Sequence, residues 1–132
     1  MTGKRTLVLV AAIALVAALT LSGCASEGAR ISQGEATIVL KSNPTTGFDW
    51  YYTVDNEGIV LLVKDEYKTD NPNLIGSGGM HTWIFQGVQE GTVKLTFKYY
   101  RSWEGESSAI DTREYTIVVG ENGKIESVAE NK

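Results

Sequence analysis

From residue 36 onward, apolar side chains return at every second position, and no segment sustains the three-to-four-residue spacing of an amphipathic helix. That alternation constrains the fold more than any other feature. Successive side chains of a strand point to opposite faces, and a half-buried strand needs only one face apolar. The stretch 92–100 is the clearest case: Val93, Leu95, Phe97 and Tyr99 face one way, Lys94, Thr96 and Lys98 the other. Further strands are predicted over 36–41, 48–54, 59–64, 80–88 and 112–119, the last with Tyr115, Ile117 and Val119 on one face. Asn122-Gly123 is a hairpin signal leading into a short final strand over 124–128. The polar stretch 65–79 reads as a long connection, with room for a short edge strand near 66–68.

About seven or eight short strands separated by turns predict an all-β chain, an immunoglobulin-like antiparallel β-sandwich, with a barrel as the alternative closure. Trp50, Trp83, Phe85, Phe97 and Tyr99 are the candidate core aromatics. Full burial of such a side chain is worth roughly 2–3 kcal/mol. That packing replaces a disulfide, because Cys24 is the only cysteine.

Cys24 has a different role open to it. Lys4 and Arg5 precede an uncharged run rich in Leu, Val and Ala, which ends in Leu21-Ser22-Gly23-Cys24. This order matches a bacterial lipoprotein signal, in which small residues allow cleavage before the cysteine and the thiol is acylated. An uncleaved membrane anchor is the competing reading, but the run is short for a span of ~20 residues. The expected organisation is a signal peptide over 1–23, a polar tether over 24–34 and one domain over 35–132. The lipid on Cys24 would hold the exported protein on the extracytoplasmic face of a membrane. Loss of Lys4 and Arg5 takes 12 basic residues to 10 against 16 acidic ones, so the net charge moves from −4 to −6. So acidic a domain has no electrostatic reason to hold nucleic acid.

Three loops stand out between the strands. Asn43-Pro44-Thr45-Thr46-Gly47-Phe48 combines an Asx-turn former, a fixed φ at Pro44 and the conformational freedom of Gly47. A stiff loop with two hydroxyls at its tip is expected, and stiffness lowers the entropy lost on docking. Gly76-Ser77-Gly78-Gly79 lacks the Lys and Ser/Thr of a phosphate loop and opens no helix. It could bring bare backbone close to a partner, or be a plain linker. Arg101-Ser102-Trp103 follows the cleanest strand. Its Trp either stands exposed, where Trp and Arg dominate binding energy, or folds back over the end of the sandwich.

The three segments together resemble the chagasin-like inhibitors of papain-family cysteine peptidases, marked in order by Asn-Pro-Thr-Thr-Gly-Phe/Tyr, Gly-x-Gly-Gly and Arg-Pro-Trp/Phe loops. The first two match fully; in the third, Ser102 stands where proline is usual. The resemblance runs roughly over 35–119. It implies an immunoglobulin-like domain whose loops enter the peptidase cleft as a wedge, a reversible, competitive and non-covalent inhibitor. Thr45 and Thr46 would cover the catalytic cysteine and histidine, the glycine loop would line one side, and Arg101 and Trp103 would grip the other.

Other chemistry finds little support in the residues. His81 is the one histidine and sits in a predicted strand, with no free cysteine to act as nucleophile or join it on a metal. Asp70, Asn71 and Asn73 lack the dense acidic spacing of a calcium loop. No cofactor, metal or enzymatic activity is expected, and the protein is read as a monomer whose partners are a peptidase and a membrane. The alternative is a surface lipoprotein whose sandwich binds a glycan or envelope partner; Trp103, Tyr99 and Tyr100 suggest an aromatic platform, but the two tyrosines alternate along a strand and cannot both share a surface with the indole.

Overall fold

The computed structural model describes residues 26–132, so the signal segment expected over 1–23 and Cys24 lie outside the described residues. Eight strands follow in order: β1 Gly28–Ser32, β2 Glu35–Ser42, β3 Phe48–Val54, β4 Val60–Thr69, β5 Gly79–Gly87, β6 Gly91–Arg101, β7 Asp111–Val119 and β8 Ile125–Asn131. They form two four-stranded sheets, β1-β2-β5-β4 and β3-β6-β7-β8, in which every pairing is antiparallel. The architecture is the expected sandwich, not a barrel.

The alternation foreseen in β6 holds: Val93, Leu95 and Phe97 are buried, with Tyr99 half-buried at the end of the same face. Opposite them, Ile38 and Leu40 of β2 and Trp83 and Phe85 of β5 complete the core, joined by Tyr115, Ile117 and Val119 of β7. Trp83 meets Phe97 across the sheets at 4.7 Å, and Phe85 meets Tyr52 edge-on at 5.4 Å. Such aromatic contacts add to the burial of area.

Two expectations are corrected. Within the tether expected over 24–34, β1 pairs with β2 from Gly28↔Val39 to Ser32↔Glu35. Its two-residue turn, Gln33 and Gly34, has positive φ at both positions, as a twisted hairpin requires. The connection expected from residue 65 is strand as far as Thr69, because β4 continues along β5 past a register shift between Leu62 and Lys64. As a sheet-edge strand it is largely solvated, so most of its later residues are polar and carry no apolar period.

Candidate functional site

Strand register brings the three loops together. Ser42, the last residue of β2, pairs with Gly79, the first of β5. In the other sheet Phe48, the first of β3, pairs with Arg101, the last of β6. The chain therefore leaves β2, β4 and β6 at one end of the sandwich, and the 43–48, 70–78 and 102–105 segments turn there. The indole of Trp50 ties the sheets together below them, donating Nε1–H to the Lys41 carbonyl at 2.8 Å.

In the first loop Pro44–Thr46 makes one 3-10 turn. The Asn43 carbonyl accepts from the Thr46 N–H at 3.0 Å and from the Thr46 hydroxyl at 2.6 Å. Gly47 closes the turn at φ 87°, in the left-handed region, and donates to the Pro44 carbonyl. The Asn43 side chain does not form the local Asx turn expected of it. Its Oδ1 accepts from the Thr45 hydroxyl at 2.6 Å, and its Nδ2 donates to the Gly76 carbonyl at 3.1 Å, a brace to the second loop. Both threonine hydroxyls are thus spent within the loop as donors.

The glycines of the second loop have steric reasons. A Cβ on Gly79 would overlap the Lys68 carbonyl oxygen, because β4 passes directly alongside. One on Gly78 would meet the Ser42 carbonyl at 3.2 Å, and Gly76 takes φ 85°. Just ahead of them, Leu74 is mostly exposed and Ile75 fully so. Neither is among the loop positions expected from sequence, although two adjacent apolar residues inside an otherwise polar loop are a visible signal. They line a shallow hollow with Pro44, Thr45 and Gly76.

In the third loop the Arg101 carbonyl accepts from the N–H groups of Glu104 and Gly105, at 2.9 and 3.2 Å. The Arg101 side chain turns back to the first loop. Nε–H donates to the Thr46 carbonyl at 3.1 Å, and the guanidinium lies 4.3 Å over the Phe48 ring, a cation–π contact. Trp103 combines the two dispositions open to it: it is 70% exposed, yet its ring edge rests on Gly47, where any Cβ would overlap it. Ser102 is exposed at the second position of the turn. All thirteen loop positions singled out from sequence, Asn43 to Phe48, Gly76 to Gly79 and Arg101 to Trp103, thus lie at this one end. The aromatic platform does not form. Tyr99 packs inward on Trp50 and Phe48, whereas Tyr100 pairs with Tyr51 on the outer face.

Beneath the first two loops His81 is buried between carboxylates of both sheets. Nε2 hydrogen-bonds Asp65 of β4, and Nδ1 lies 3.7 Å from Asp49 of β3, an ion-pair distance too long for a hydrogen bond. The ring stacks on Trp83 at 4.0 Å. Burial pulls the imidazole's pKa down, but Asp49 and Asp65 outweigh it and the net shift is upward. His81 in turn holds the Asp49 carboxyl below its usual range, against its own burial. Among the described residues no group of three or more His, Cys, Asp or Glu is arranged to hold a metal ion.

Comparison with known proteins gives one consistent result. A family model described as Chagasin family peptidase inhibitor I42 matches residues 31–119. Chagasin of Trypanosoma cruzi is 32% identical over 90 residues, which cover 64% of this chain and 79% of that protein. Amoebiasin-1 of Entamoeba histolytica is 39% identical over 77 residues, covering 55% and 72% respectively. The crystal structure of a cysteine protease inhibitor from Entamoeba histolytica shares the fold, with a TM-score of 0.56 at 23% identity over 64% of this chain and 77% of the other.

Proposed function

The chain belongs to the chagasin family of peptidase inhibitors, and on that footing we propose that it is a reversible, competitive inhibitor of papain-family cysteine peptidases, inserting its three adjacent loops into the active-site cleft. It is an inhibitor, not an enzyme, and His81 serves the fold. One observation carries the loop assignment: Asn43 braces Gly76, Arg101 holds Thr46, and Trp103 rests on Gly47, so the segments dock as one body. A braced wedge loses little conformational entropy on binding. The exposed Trp103 and Ile75 supply apolar area for contact at its edges.

The same proposal makes the mature protein an exported lipoprotein, acylated on Cys24 and held on the extracytoplasmic face of a bacterial membrane. The charged start, the apolar run and Leu21-Ser22-Gly23-Cys24 support that part. Titration of papain with the soluble domain from Ser26 onward tests inhibition, and none at micromolar protein refutes it. Intact mass of the protein purified from a bacterial membrane fraction tests the lipid separately: acyl chains on Cys24 are expected, and a bare thiol refutes them.

A further inference from the structure

The first strand runs in an unexpected direction for a domain held out from a surface. Strand β1 begins at Gly28 opposite Val39, and it ends at Ser32 opposite Glu35. Because β2 runs toward the loops, β1 runs away from them, and its start lies near the loop end. Glu27 fixes that start. Its Oε2 accepts the Lys41 N–H at 2.8 Å, and its Oε1 lies 3.7 Å from the Arg113 guanidinium. Lys41 is only two residues before Asn43, about 7 Å along a strand. Glu27 and Asn43 accordingly line the same hollow, with Tyr99 and Arg113.

Three residue steps separate Glu27 from Cys24. Fully extended, they span at most ~11 Å. An acyl chain on Cys24 would therefore enter the bilayer within ~11 Å of Glu27, on the side of the domain that carries the first loop. A globular peptidase of ~200 residues is roughly 40 Å across by the size scaling of compact domains. To seat its cleft on the wedge it needs that much clearance beyond the loops, several times what the tether allows. The opposite end, where β7 turns into β8 at Asn122-Gly123, is the one left facing away.

Resting on the lipoprotein reading above, we propose that the anchor on Cys24 turns the three-loop end toward the bilayer. The anchored protein then captures soluble peptidase poorly, for want of clearance between its loops and the bilayer. The short tether restricts approach; the loops themselves are unchanged.

The test uses the full chain expressed in a bacterium, purified from membranes and added to preformed phosphatidylcholine vesicles. Flotation and intact mass establish anchoring through Cys24. Inhibition of soluble papain on a small peptide substrate is then compared between the vesicle-bound protein and the same protein in detergent micelles. A vesicle-bound inhibition constant at least tenfold weaker is expected. Insertion of 20 Gly/Ser residues between Ser26 and Glu27, with an r.m.s. span of ~25 Å, should restore it to within about threefold. Equal inhibition in vesicles and micelles overturns the inference while leaving the anchor standing. A bare Cys24 thiol overturns the inference together with the lipoprotein reading. Weak inhibition that the linker does not relieve overturns the tether as its cause.

Discussion

Gly47→Ala puts one methyl group where the first and third loops meet, and two separable costs follow. The backbone at Gly47 has φ 87° and ψ −14°. Left-handed geometry costs an L-residue roughly 1–2 kcal/mol. The new Cβ would also overlap the outer ring edge of Trp103. That ring is the far end of a mostly exposed side chain, so it swings away instead of unfolding the domain. Stability should therefore fall by only ~1–2 kcal/mol. For a domain of this size each kcal/mol lowers Tm by roughly 4–8 °C.

The larger effect falls on inhibition. An interface Trp that can no longer occupy its place forfeits about 2 kcal/mol or more, which is roughly a 30-fold rise in the inhibition constant. Papain titrations with wild type, Gly47→Ala, Trp103→Ala and the double variant form the assay, with thermal melts alongside. If the methyl acts by displacing the indole, the double variant inhibits within about threefold of Trp103→Ala alone, a strongly non-additive cycle. Additive changes in log inhibition constant would refute the coupling. A Gly47→Ala protein inhibiting as well as wild type would refute the role of the indole's seat.

Ser102→Pro should tighten inhibition about two- to fivefold, by the ~0.4–1 kcal/mol that proline removes from chain entropy at a compatible position; weaker inhibition would show that residue 102 does not hold a proline-like φ in the complex. Ile75→Asp should leave the melting temperature unchanged, since the side chain is fully exposed, yet weaken papain inhibition at least fivefold; an unchanged inhibition constant removes Ile75 from the contact. His81 makes stability depend on pH on the neutral side. Its folded pKa is raised, so its contribution is complete below the unfolded value near 6.5 and is lost as pH rises through the higher folded value. Wild-type Tm should fall more than that of His81→Gln between pH 6 and 8, and parallel pH profiles would refute the bridge to Asp49 and Asp65.

What could be read from residues alone follows from how many physical demands each segment meets. Strand β6 is buried on one face only, so its alternation is clean and the sandwich follows from it. Neither β1 nor the second half of β4 is packed that way. Both lie at sheet edges with mostly solvated side chains, and backbone pairing to β2 and β5 makes them strands. The loops stood out because glycine and proline have steric meanings visible without a structure, but those meanings alone also fit plain turns, and only the resemblance to the inhibitor family joined the three into one site. The braces between them were not legible. That Asn43 reaches Gly76 instead of its own backbone depends on Ser42 and Gly79 being cross-strand partners, a long-range fact. The His81 bridge is hidden for the same reason, since its carboxylates come from different sheets.

The braces also change what the missing proline means. A third loop that depended on its own turn for order would be loosened by a serine at position 102. Here the flanking residues are held from outside that turn: Arg101 by the Thr46 carbonyl and the Phe48 ring, Trp103 by the surface of Gly47. Ser102 itself lies exposed between two fixed side chains. The freedom that proline would remove is therefore confined to one backbone position, and the Ser102→Pro gain should stay in the low end of its range. A gain well beyond fivefold would mean instead that the loop is ordered by its own turn and that the contacts to Thr46, Phe48 and Gly47 are only its consequence.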